Sequence, residues 1–441
     1  NVLNQNCSKL QPPAGVYVTS QNRNTWCNWA PFDGDDANEL LGYLDSAFLF
    51  TYAFFMFVSG FVAERMNLRY FLAFGMLMSG FFTYLFGLTY GQNIHSFTYL
   101  IFVQVLGGAF QSTGWPSVVT CIGNWFGKAR RGLLFGLWNS HLYVGNILGA
   151  YVAGLYVEVN WGYSFIICGA IVGTAGFLIF LFLVPDPEDV GCKPPVYHRA
   201  SFLESTEGTP LIYQNDKPNP QLSNSDKEAI TFWEALKIPG VIEFSLCLFF
   251  AKLVSYTFLF WLPKFIYAST PSGSQESAYL SVPFDIGGII GGVLAGYIAD
   301  QTGASAVTCV SLLGIAVPTL FLYDAFGSVC TLSNIVLQVI GGAAVNGPYA
   351  LITTAVSAQL GTHKSLMGNA KAVATVTAII DGTGSIGAAI GPLLAGVISK
   401  TSWNNVFYMA MVSDFLAVLT LLRIMQHEVR RLKRKKMNLW V

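Results

Sequence analysis

The chain has 441 residues, with 24 lysines and arginines against 24 aspartates and glutamates, so its formal net charge is zero. Charged residues make up only 11%, apolar types reach 53%, phenylalanine occurs 34 times and mean hydropathy is +0.51. A soluble domain carries about 25% charge, and no soluble core absorbs this much apolar side chain, so the chain belongs in a membrane.

Residues 1–39 are polar and hold Asn6-Cys7-Ser8, a candidate glycosylation sequon, together with Cys7 and Cys27, a candidate disulfide pair on the extracytosolic side. Runs with at most one charge then occupy 40–63, 70–90, 97–122, 133–157, 163–184, 241–267, 278–299, 307–323, 335–359, 370–398 and 406–422. Most reach the ~20 residues that cross a bilayer as a helix. Eleven spans are therefore predicted. Residues 185–230, with PDPED, ESTEG and PNP, read as a polar cytosolic linker between a bundle at 40–184 and a second at 231–426, and 427–441 is a basic tail. Arg65, Arg69, Lys128, Arg130, Arg131, the 185–240 segment, Lys364, Lys371 and the stretch from Arg423 to Lys436 fall on one side of the alternation, whereas only Lys9, Arg23, Lys264 and Lys400 fall on the other. This asymmetry assigns the first group to the cytosol.

The two bundles echo each other. Gln104 to Pro116, QVLGGAFQSTGWP, returns near Gln338 as QVIGGAAVNGP, and Gly60-Phe-Val-Ala-Glu64-Arg65 returns as Gly296-Tyr-Ile-Ala-Asp300-Gln301, an offset of 236. Related membrane halves enclosing a site are the architecture of secondary transporters. The same offset subtracted from 241–267 lands near residues 5–31, where nothing can span. A first helix is therefore expected upstream of Asn1, with 1–39 as the luminal loop after it.

Gly60, Glu64, Arg65 and Arg69 place a carboxylate and two guanidiniums in a tight helix turn, suited to gripping a neighbouring helix in one carrier state and releasing it in the other. The pattern G-x-x-A-E-R-x-x-x-R resembles the loop motif of the major facilitator superfamily, and Arg131 and Asp300 are grouped with it as gate residues. Phe110-Gln111-x-x-Gly114-Trp115-Pro116, Asn124-Trp125-Phe126-x-Lys128-x-x-Arg131-Gly132, Trp138-Asn139 and Gly145 resemble the organophosphate:phosphate antiporter branch. With ERMNLRYFL at 64–72, TAIIDGTGSIGAAIGPLLAG at 377–396 and WNNVFYM at 403–409, the chain is most similar to the sugar-phosphate exchangers of solute carrier family 37.

That resemblance implies an all-α polytopic membrane protein with two six-helix bundles, the first helix lying outside this chain. It implies exchange of a sugar phosphate, glucose-6-phosphate above others, for inorganic phosphate in the endoplasmic reticulum membrane. No cofactor, metal or nucleic-acid partner is expected, and a monomer in the bilayer is. An enzyme is not expected, because no metal-ligand cluster, nucleophile elbow or phosphate-cradling glycine loop occurs. A proton-coupled symporter and a non-transporting scaffold are the alternatives.

A phosphate at mid-membrane needs a fixed cation, and a lone intramembrane charge is expensive. Lys252 is the only lysine or arginine deep in a span, roughly 14 Å from the cytosolic helix end. Ser255 and Tyr256 share its face. Either Lys252 meets substrate, or it pairs with a carboxylate such as Asp285 or Asp381. Against the bacterial relatives, an arginine falls at Ser255, a lysine at Met56, a histidine at Leu142 and a tyrosine at Asn346. Asn139, Tyr143 and Asn146 form a polar stripe for sugar or phosphate oxygens, with His141 one residue aside. Asp45, Asp285 and Asp381 are intramembrane carboxylates that could relay protons, but Asp381, beside Gly382-Thr383-Gly384, reads more simply as marking a flexible helix segment, and an exchanger needs no proton coupling.

Overall fold

A computed structural model describes residues 29–32, 37–126, 131–156, 160–192, 228–270, 277, 279–362, 370–399 and 401–437. Asn6, Cys7 and Cys27 lie outside the described residues, as does most of the linker.

The first half consists of α1 (Ala37–Ala63), α2 (Leu68–Gly91), α3 (Phe97–Gln111), α4 (Gly114–Trp125), α5 (Arg131–Tyr156) and α6 (Trp161–Phe182). Short polar residues start them: Asn67, Ser96 and Asn160 sit at the N-caps of α2, α3 and α6, and their side chains accept from the first free amides. The predicted single span at 97–122 is two helices. Pro116 has no N–H to offer the Ser112 carbonyl four residues back, and that carbonyl accepts from Ser59 Oγ of α1 at 3.0 Å instead.

The second half holds α7 (Phe232–Leu236), α8 (Val241–Ser269), α9 (Val282–Thr302), α10 (Ser305–Phe326), α11 (Thr331–Leu351), α12 (Val373–Ile398) and α13 (Trp403–Met437). Pro348 interrupts the ladder inside α11, and a π-helical turn, Ile352–Val356, follows before the last turn, Ser357–Leu360. Strand β1 (Glu228–Ala229) pairs in parallel with β2 (Ala370–Lys371) and ties the end of the linker to the start of α12.

Among the described residues nine helices are long and apolar enough to cross a membrane. Two further passes complete the eleven expected. One is made by α3 and α4 together, each too short alone at 15 and 12 residues. The other is α5, 26 residues long, whose Asn139, Ser140, His141 and Asn146 lower its hydropathy. The basic tail continues α13 to Met437 and packs on the protein: Glu428 Oε2 accepts from the Val307 amide at 3.0 Å, and Arg431 donates to the Gly303 carbonyl. These contacts clamp the α9–α10 turn, where Gly303 has a left-handed φ of 64°.

The halves meet along two seams. In one, Gly132 and Gly136 of α5 face Gly292 and Gly296 of α9; a Cβ on Gly136 would stand 2.5 Å from the Gly292 carbonyl oxygen, and one on Gly296 would run into that of Gly132. Such spacing lets two backbones touch where lipid gives no hydrophobic drive for association. In the other seam, Gly60 of α1 lies against Ala374 and Ala378 of α12, and the Phe57 ring lies against Gly382. These approaches run from the helix ends on the lysine- and arginine-rich side to mid-depth, so this basic end is shut. Gly296→Leu is expected to wedge the α5–α9 seam apart, leaving insertion intact but lowering the melting temperature by roughly 5 °C or more, as measured in detergent by fluorescence-detected unfolding. An unchanged melting temperature would show that the glycine contact does not hold the closed end.

Candidate substrate site between the halves

Lys252 lies on α8 at 3% exposure, and its Nζ stands 2.7 Å from Oδ1 of Asp381 on α12, itself 2% exposed. The same amine donates to Ser385 Oγ at 3.2 Å and sits 5.4 Å from the Tyr349 ring centroid. Of the two sequence readings of Lys252, the carboxylate partner is therefore present, and it is Asp381. Asp381 lies within the helix Val373–Ile398, beside Gly382 and Gly384. Asp285 lies in the first turn of α9, where free helix amides favour a carboxylate, and Asp45 is exposed.

One turn along α8 from Lys252, Ser255 donates to Asn346 Oδ1 of α11 at 2.8 Å. Asn346 Nδ2 and the Tyr143 ring both pack on Gly288, at 3.0 and 2.7 Å from the Cβ that glycine lacks. Tyr143 of the first half thus reaches the polar residues of the second. Tyr256 is half-buried, with its ring tilted at 40° to that of Phe260, 6.4 Å away.

On α5, Asn139 is 1% exposed with neither Nδ2 nor Oδ1 partnered, and Ser140 Oγ and Tyr143 Oη are likewise unpartnered. Buried amides and hydroxyls left without partners cost free energy, and a bound oxyanion or hydroxyl-rich ligand supplies what they lack. Asn146, half-buried and farther along the helix, joins none of these contacts. His141 is exposed, its Nδ1 2.6 Å from the Trp138 carbonyl oxygen, and its ring lies 4.4 Å from Trp138 and 6.3 Å from Trp115. It borders the site from an aromatic ledge. Trp115 Nε1 donates across the seam to the Thr353 carbonyl at 3.3 Å, inside the π-turn.

The gate residues do more than pair ionically. Glu64, just past the end of α1, accepts at Oε1 from the Ala374 amide at 2.6 Å, at the start of α12. Its repeat counterpart Asp300 accepts from the Gly132 and Leu133 amides at 2.8 and 2.7 Å, at the start of α5. Each half thus places a carboxylate on the positive helix end of the other. Arg65 donates to the Phe61 carbonyl at 2.8 Å, and Arg69 donates to the carbonyls of Phe180, at 2.8 Å, and Leu181, at the end of α6. Both guanidiniums therefore serve helix C-termini. Arg131 begins α5, and its side chain lies outside the described atoms.

Sequence reasoning missed several residues. Ser385 and Tyr349 surround Lys252, and Tyr52 of α1 lies within electrostatic reach of Asp381. Ser385 was findable four residues after Asp381, on its face. Asp414 of α13 is fully buried with both oxygens unpartnered, a charge within the 406–422 run that spacing alone exposes.

The family model described as Major Facilitator Superfamily matches residues 34–373. Mouse glucose-6-phosphate exchanger SLC37A2 is 54% identical over 437 residues, 97% of this chain and 87% of the relative. The human protein of that name is 53% identical over 97% of this chain and 87% of its own. Human glucose-6-phosphate exchanger SLC37A1 is 50% identical over 94% and 86%. In fold, the chain matches the crystal structure of the transporter FucP in the outward conformation, with TM-score 0.60 and 12% identity over 87% of this chain and 89% of that one. A polytopic helical protein in two interlocked halves, with a lysine buried at their seam, the chain belongs to the major facilitator superfamily and, within it, to the SLC37 exchangers.

Proposed function

We propose that the protein exchanges a sugar phosphate, glucose-6-phosphate above others, for inorganic phosphate across the endoplasmic reticulum membrane, with Lys252 as the substrate cation. The observation that carries this reading is the buried amine of Lys252 one turn from Ser255, whose partner Asn346 packs on Gly288 beside Tyr143 of the opposing half, where the polar atoms of Asn139 and Tyr143 are orphaned. The names of the relatives supply the substrate class. Such a protein moves its cargo without making or breaking covalent bonds.

In this reading the phosphate meets Lys252, and its remaining oxygens and the sugar hydroxyls satisfy Asn139, Tyr143, Ser255 and Asn346. Opening of the basic end then requires Glu64 to leave the α12 amides and Asp300 to leave those of α5. Each cap is worth about 1 kcal/mol, small enough for bound substrate to shift the balance between the two states.

Three outcomes follow. The protein in liposomes loaded with phosphate takes up labelled phosphate or glucose-6-phosphate by counterflow, with little dependence on a proton gradient; uptake that ignores internal phosphate and needs that gradient would establish symport instead. Lys252→Met combined with Asp381→Asn replaces a buried ion pair by neutral groups, a change that often leaves stability intact. The double variant is expected to insert and melt like the parent while exchanging at least roughly a hundredfold more slowly. Parent-like exchange by that variant would return Lys252 to a purely structural role. Glu64→Ala is expected to expose a cysteine placed at Thr375, which is buried beside the cap, to a membrane-impermeant maleimide from the basic side roughly fivefold faster; equal labelling would show that the cap does not hold the gate.

A further inference from the structure

Counting donors and acceptors around Lys252 gives more than a cation. A lysine ammonium has three protons. One goes to Asp381 Oδ1 at 2.7 Å and one to Ser385 Oγ at 3.2 Å, which leaves one to give. Ser385 spends its own proton on the Asp381 main-chain carbonyl at 2.8 Å, so it receives from Lys252 and gives nothing to the carboxylate. Asp381 Oδ2 takes no hydrogen bond from any described residue. The groups facing Asp381 from neighbouring helices are Tyr52 on α1, Lys252 on α8 and Tyr349 on α11; among them only Lys252 is cationic. The pair therefore presents one free N–H and one free anionic acceptor side by side, with no net charge.

We propose, building on the assignment of Lys252 as the substrate cation, that Asp381 is a specificity-determining residue that makes the site select phosphate carrying a P–OH and reject tetrahedral anions without a proton. A P–OH next to a P–O⁻ is the complement of the pair. The ionised oxygen accepts from Lys252 while the hydroxyl donates to Asp381 Oδ2, so the substrate bridges the ion pair and neither charge is left uncompensated.

A phosphate monoester has its second ionisation near pH ~6, so a sugar phosphate meets this condition as its monoanion, which carries one P–OH, whereas inorganic phosphate keeps a proton even as the dianion. Sulfate has the same shape and the same double charge but no proton at neutral pH. It would bring a lone pair against the Asp381 carboxylate, a like-charge contact in a desolvated site. A site built to hydrogen-bond a substrate hydroxyl discriminates strongly against an analogue lacking it, because its own buried group is left unpaired. Net charge cannot make this distinction, since the hydrogenphosphate and sulfate dianions carry the same charge.

The test uses the protein in liposomes loaded with inorganic phosphate, with labelled phosphate outside and unlabelled phosphate, sulfate or monofluorophosphate as competitor. Monofluorophosphate replaces the P–OH by P–F and is a dianion at neutral pH. For the parent protein, sulfate and monofluorophosphate are expected to compete at least roughly a hundredfold more weakly than phosphate. Comparable competition by all three overturns the proposal without recourse to any variant. Asp381→Asn offers an amide N–H where the carboxylate stood, and sulfate is expected to compete within roughly tenfold of phosphate. Asp381→Glu keeps the acceptor and is expected to keep rejecting sulfate. An Asp381→Asn protein that exchanges phosphate yet still ignores sulfate overturns the assignment to Asp381. Loss of phosphate exchange in the parent itself would instead overturn the exchanger reading beneath it, so the two failures are separable.

Discussion

An ammonium and a carboxylate cannot be taken out of water singly, and in this protein both are almost wholly buried where two helices of the second half face the first. Their mutual pairing at 2.7 Å makes the burial tolerable. The surroundings are arranged around that necessity. Gly384 leaves room for the lysine stem, since a Cβ there would stand 3.0 Å from Lys252 Cδ. Ser385 takes a second proton of the amine, and the Tyr349 ring gives the cation a π-face. A charge held this way is fixed in place and short of partners, a fit state for receiving an anion.

The second organising feature is the exchange of helix ends between the halves. A helix start leaves amides without intrahelical acceptors, and in hydrocarbon or at its edge these must be satisfied by protein. Here α5 and α12 have theirs satisfied by Asp300 and Glu64, each from the other half. Because the bonds cross the seam, rocking the halves breaks both together. The glycine contacts at Gly132, Gly136, Gly292 and Gly296 bring the backbones close enough for Asp300 to reach, and Gly60 against Ala374 does the same for Glu64. The closed basic end is thus held by these caps and glycine contacts together with apolar packing that joins the halves, as of Val119 and Phe135 with Ala295 and Val376.

Much of this was legible in the sequence, because membrane helices declare themselves by length and apolarity and because a repeated motif carries its role twice. The offset of 236 that pairs Glu64 with Asp300 is the same relation that the structure realises as two matching caps. Lys252 stood out as a deep cation for the same physical reason that it needs a partner. The choice of Asp381 over Asp285 did not follow from spacing, since it depends on how α8 and α12 meet across 129 residues of chain. The break between α3 and α4 was signalled by Pro116 but masked by an unbroken apolar run. Tyr52 and Tyr349 were invisible as site residues, because in so aromatic a chain a ring that faces the site cannot be told from one that faces lipid.

Locating the bound anion tests the central claim most directly. A structure of the protein in a bilayer mimic with inorganic phosphate should show a phosphate oxygen within hydrogen-bond distance of Lys252 Nζ, about 2.7–3.2 Å, between the two halves. Phosphate held out of reach of Lys252, with Asn139 and Tyr143 still unpartnered, would contradict it.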